Sequence, residues 1–408
     1  MARWLIAFLL LLAPSLAHAQ RGPLERQNNL SDLDNAATAL SNLGANNASN
    51  LSTGTLPAAR LPASGATAGT YGTATTVPQI TVDAAGRITA AGNVAITGGG
   101  GSAAIFSPQG RLTLTSGSPV MSADVVGATT IYYDDYSGNA LPIYNGTASA
   151  MYPITSGQLS LALNATDEPI GALYDVFAVN VAGAATLCAA PDWSSLTARS
   201  IGVTLTVTGY WTNAAATVHC YAGATDEGAV AANEGTYLGT FYTTAAGATT
   251  MQFQPAAAAG GSGCTMGLFN SYNRTAAACT DSDSNNSWAY AANTWRPADG
   301  STANAVTFVD GLGQSWLTVD SRDAITPGST GAGNIGSDLD STSARPVVIG
   351  QVYVPTAGNQ TTSAHTNFPP VLGLHTVTEV EASPLGVNVT FYGFGRAGYL
   401  YLTVSLGM

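Results

Sequence analysis

The chain has 408 residues and a formal net charge of −12; charged residues make up 9% of it, hydrophobic ones 46%, and all 12 of its cations are arginine. An acidic, lysine-free chain offers no basic face to track phosphates, which excludes nucleic acid as a partner. Low charge with high apolar content excludes a disordered polymer, and many small, turn-forming residues point to short strands in two or three domains.

The chain opens with MARWLIAFLLLLAPSLAHAQ. Arg3 precedes an apolar run from Trp4 to Ala13, and Ala17-His18-Ala19 follows as a cleavage pattern. Residues 1–19 read as a secretory signal peptide or as a hydrophobic anchor that docks into a partner. The run is short for a membrane span.

NLSDLDNAATALSNLG, residues 29–44, predicts a helix. Asn29 or Ser31 caps it, Asp32 and Asp34 sit in its first turn where the dipole favours anions, and Gly44 lies just past its end. Leu30, Leu33, Ala37 and Leu40 fall at a and d spacing. The seam is shorter than two heptads, so it needs partner helices. The following Leu56-Pro57 and Leu61-Pro62 steps force extended backbone.

Residues 77–96, VPQITVDAAGRITAAGNVAI, predict a β-hairpin. Ile80 and Val82, then Ile88 and Ala90, alternate with their neighbours around a turn at Asp83-Ala84-Ala85-Gly86. A lone hairpin is marginal in water, so this one too needs company. TGGGGSA, residues 97–103, is a flexible linker. It separates an attachment and trimerisation shaft, 20–101, from a β-rich module, 102–408. Strands are expected over 111–115, 129–133, 201–210, 347–354, 387–392 and 399–406, as in a sandwich. PAAAAGGSG, 255–263, is a surface loop or a sub-boundary.

NNLSDLDNAATALSNLG, GTLPAARLPA and GTYGTATTVPQITVDAAGRITA resemble the shaft-start modules of bacteriophage tail fibres and head fibres. IYYDDYSGNALPIYNG, LYDVFAVN, YLGTFYTT, NSYNR and DSDSNNSWAYAANTWRPADGSTANAVTFVDGL are similar to a module that recurs in phage structural proteins of that kind. The resemblance implies an all-β homotrimeric fibre with a short N-terminal helix or coiled coil, a hairpin shaft start and a β-sandwich-like C-terminal module. It also implies a capsid or tail protein as partner at the N-terminus and a host cell-surface glycan or protein as receptor. A signal-like leader departs from that pattern and leaves room for an exported, prophage-derived adhesin.

No catalytic set is expected. Asp134-Asp135 are adjacent, so on a strand they point to opposite faces, which does not suit the paired carboxylates of a polysaccharide depolymerase; a turn is the expectation there. DSDSNNS, 281–287, begins like a calcium loop but lacks Gly at its sixth position and Glu at its twelfth, and is expected to be a polar surface turn. No base and orienter are legible around His219. No metal ligand set or cofactor fingerprint is present. Cys188, Cys220, Cys264 and Cys279 are either disulfide partners, with 264 and 279 the most local pair, or buried thiols. Trp288, Tyr290, Trp295 and Trp316 are expected in the core. Phe391, Tyr399 and Tyr401 are the receptor-binding candidates, because exposed aromatics stack on sugar rings.

Overall fold

The computed structural model describes residues 35–42, 63–73, 76–95, 107–144, 148–154, 157–206, 209–216, 219–328, 330–354, 359–394 and 400–408. The protein is nearly all β, 52% strand and 3% helix. It divides into two compact units, residues 1–99 and 100–408.

The first unit holds the helix Ala36–Asn42 and the hairpin Thr76–Val82/Ile88–Ala95. The helix is capped by Asn35, whose Oδ1 accepts from the Thr38 N–H at 2.9 Å. Residues 29–34, with Leu30, Leu33, Asn29 and Ser31, lie outside the described residues.

The hairpin is antiparallel, with Val77 opposite Val94, Ile80 opposite Ala91 and Val82 opposite Ile88. Its turn is built by Asp83. Oδ1 accepts from the Ala85 and Arg87 N–H groups, each at 2.9 Å, and Oδ2 from Arg87 Nε at 2.7 Å. These bonds hold the Asp83 carboxyl below its usual range, the Arg87 N–H contributing most. Gly86 takes φ +78°, which a side chain would strain.

The second unit is built on a 16-stranded sheet. Its long strands include Leu173–Val181, Thr236–Ala245, Gly331–Leu339 and Gly373–Ala382. A 6-stranded sheet is organised around Leu317–Pro327, with Gln360–Phe368 along one edge and Val389–Tyr392 and Tyr401–Gly407 along the other. The two sheets face each other as in a sandwich: Ile335 and Val352 of the large sheet pack with Ile325, Val389 and Phe391 of the smaller one. A larger core cluster joins Leu112, Ile131, Phe241, Met266, Phe308 and Val404. Close approach is set by glycine at 239, where a Cβ would lie 2.0 Å from the Phe269 carbonyl oxygen.

Several expectations need correction. Asp134 and Asp135 end the strand Thr130–Asp135, paired to Gly110–Thr113, instead of making a turn. The run 201–210 is not one strand. Val203–Leu205 turns back onto Trp211–Asn213, with Leu205 opposite Trp211. Of the two readings of 255–263, the loop holds: the segment is tied down by Asp283, which accepts from the Gly260 N–H, and by Asp281, which accepts from the Ser262 N–H.

Two disulfides stitch the second unit, Cys188–Cys220 and Cys264–Cys279. Two arginines act as clamps. Arg199 binds Asp175 at 2.7 Å, bonds the Tyr237 hydroxyl and the Gly311 carbonyl, and stacks on Trp193. Arg111 donates to the carbonyls of Asn273 and Met408 and to Thr275 Oγ1.

Candidate functional site

The expected receptor aromatics separate. Phe391 is fully buried, stacked on Trp288 with ring centroids 6.4 Å apart, so it belongs to the core between the sheets and offers no face to a ligand. Its strand, Val389–Tyr392, is mostly buried, and Phe391 shares its inward face with Val389. Tyr401 lies across from Arg322 and is half-buried, with that guanidinium 5.9 Å from its ring. Tyr399 lies outside the described residues. Trp288 and Tyr290 pack beside Phe391 as expected, but Trp316 is 65% exposed.

The hairpin unit carries the described residues of the expected seam. Ala37 and Leu40 are exposed on the short helix, Leu40 by 43%. On the hairpin, Val77, Ile80, Val82, Ile88 and Val94 are each 41–57% exposed. Ile80 and Val82 share one face, and Val77 meets Val94 on the other.

The aspartates of DSDSNNS are buried, which corrects the surface-turn expectation. Asp281 takes the Ser262 N–H and hydroxyl; Asp283 takes the Gly260 and Asn285 N–H groups and, on its second oxygen, the Asn304 amide. They belong to a wider group of buried acids. Glu379 and Glu381 project from one strand face, and Asp323 from the facing sheet. Burial pushes Asp323 far above its ordinary range, with the Glu381 charge adding. Burial does the same to Glu379, with Asp323 and Asp281 adding. Glu381 is pushed up to about 7 by burial, opposed by the Trp288 indole and by Arg296. Glu379 Oε1 and Asp323 Oδ2 have no hydrogen-bond partner. Both carboxyls are shut off from solvent, so neither faces a groove as paired glycosidase carboxylates would need to. Among the described residues no three His, Cys, Asp or Glu side chains converge as metal ligands.

His219 Nδ1 does have an orienting partner, Asp226 at 2.5 Å. The sequence reading missed it because the pair closes across the short Tyr221–Ala222/Thr225–Asp226 hairpin.

A surface cleft lies at the end of the large sheet. It encloses about 590 Å³ and is lined by Asn293, Trp295, Asn334, Arg345, Gln351 and neighbouring apolar residues. Asn334 sits directly between Gln351 and Ala382 on adjacent strands. Gln351 Nε2 donates to Asn334 Oδ1 at 2.8 Å.

No protein-family model and no curated protein matches the sequence. Among solved structures, the insecticidal delta-endotoxin Cry8Ea1 from Bacillus thuringiensis aligns at 10% identity over 74% of this chain and 52% of its own, with TM-score 0.19. A tryptic core variant of Bacillus thuringiensis Cry1Da aligns at 9% over 67% and 53%, with TM-score 0.14. The chain spans about half the length of each, and likeness at these scores carries no argument about fold or activity.

Proposed function

We propose that the chain is a non-enzymatic fibre or spike protein of a phage or prophage-derived particle. Its first unit self-associates as a trimer and joins a capsid or tail protein. Its β-sandwich-like unit attaches to a host cell-surface glycan or protein. The observation that carries this reading is the hairpin with aliphatic side chains bare on both faces. Two strands alone do not hold together in water. Covering the exposed half of each of five such side chains contributes about 1 kcal/mol apiece, roughly 5 kcal/mol per chain. Copies of the same chain present the same stripes, which makes self-association the simplest cover.

Light scattering of the purified protein tests this: a trimer is expected, and a stable monomer at micromolar concentration overturns it. Changing Leu33 and Leu40 together to Asp should abolish assembly, because a charge at a shared seam is heavily penalised.

A second reading, a secreted prophage-derived adhesin, is favoured by the two disulfides, which persist in oxidising compartments. An N-terminus at Gln20 in protein recovered from its source supports that reading.

A further inference from the structure

We propose that the cleft lined by Trp295, Asn334, Arg345 and Gln351 binds an acidic saccharide through its carboxylate. This deepens the receptor-binding part of the proposed function and rests on it only in placing the ligand at a cell surface.

Asn334 and Gln351, which both line the cleft, sit on neighbouring strands of the large sheet, and their side chains are hydrogen-bonded to each other. That bond uses one Gln351 donor and one Asn334 acceptor. The Gln351 carbonyl oxygen and the Asn334 amide nitrogen keep their remaining capacity, one as acceptor and one as donor. An adjacent acceptor and donor are what a sugar hydroxyl, itself both, can satisfy. Asn293, which also lines the cleft, adds a third side-chain amide. Trp295 is half-buried and lines the cleft, and an indole is suited to covering the apolar side of a pyranose ring. The volume of about 590 Å³ falls in the range of small-ligand clefts, about 300–1,000 Å³.

Charge selects the kind of sugar. The protein carries −12 overall, yet no carboxylate lines this cleft. Its one charged lining residue is Arg345, which is exposed and has no ion pair among the described residues. A guanidinium in a fixed fork takes a carboxylate through two parallel hydrogen bonds. A neutral glycan would leave that fork unused, and an apolar ligand would strand the amides.

The test is calorimetric titration of the full chain with trigalacturonate, with maltotriose as a neutral trisaccharide and glucose 6-sulfate as a non-carboxylate anion. Trigalacturonate should bind best. Arg345→Gln should weaken it about tenfold or more, while leaving maltotriose unchanged. Trp295→Ala should weaken both trisaccharides. Because Arg345 is exposed and unpaired, its variant should keep the wild-type unfolding midpoint. No binding of trigalacturonate, binding that ignores Arg345, or a preference for the sulfate each overturns the assignment. The trimer is read separately by light scattering, so the cleft can fail while the fibre reading stands, and the reverse.

Discussion

Glu168 is 1% exposed and sits in a turn where its Oε2 accepts from the Asn164 N–H at 2.6 Å. Burial, with Asp167 adding, pushes its carboxyl from 4.5 up to about 7. The folded value lies above the unfolded one, so its contribution is fully present below pH 4.5 and is lost as pH rises through 7. The gap, at about 1.36 kcal/mol per pH unit, corresponds to about 3 kcal/mol. Glu168→Gln keeps the acceptor for Asn164 and removes the charge. Near pH 4 the variant and the wild type should unfold at the same urea concentration. Near pH 8.5 the variant should be the more stable by about 3 kcal/mol. The other buried acids titrate in both proteins and cancel from the difference. Parallel pH profiles for the two proteins would show that Glu168 ionises freely in the fold and refute the reasoning.

Asp310 is fully buried and takes four backbone N–H groups, Leu312 and Gly313 on one oxygen and Gln314 and Ser315 on the other, at 2.8–3.0 Å. Asp310→Asn turns an amide donor onto two donors and should lower stability by roughly 2–4 kcal/mol in urea unfolding. Replacing Cys188 and Cys220 by Ala opens a 32-residue loop and should cost about 4 kcal/mol; Cys264 and Cys279, 15 apart, should cost about 3 kcal/mol. Midpoints that match those of the intact protein would show that these bridges do not constrain the unfolded chain.

What the sequence revealed follows how local each signal is. The hairpin was legible at its strands and at its turn, because Asp83 and Gly86 act on neighbours three or four residues away. A strand at 387–392 was legible too, but strand propensity does not say which side chains face the core, and Phe391 proved to be inside. Asp281 and Asp283 looked like a surface turn because their partners, Ser262 and Gly260, lie about twenty residues upstream. Asp134 and Asp135 looked like a turn because aspartate is depleted in strands; the pairing with Gly110 and Arg111 that overrides this is not local. The cleft had no motif at all. Strand pairing brings Asn334 to Gln351, while Trp295 and Arg345 come from segments outside the strands.

The placement of Tyr401–Gly407 bears on how the protein is made. This strand lies between Ala276–Asp281 and Leu317–Pro327 and bonds to both. A ribosome delivers it more than seventy residues after the later of those two. Until then the smaller sheet has a gap where its joining strand belongs, and the inner faces of Val319 and Cys279 have no Val404 between them. Closure of that sheet is therefore a late, long-range event, slow by its topology, and the nascent chain carries open strand edges in the meantime. Nonsense or frameshift changes even a few codons before residue 401 should thus yield chains that never complete the sandwich, however much of the preceding sequence is intact.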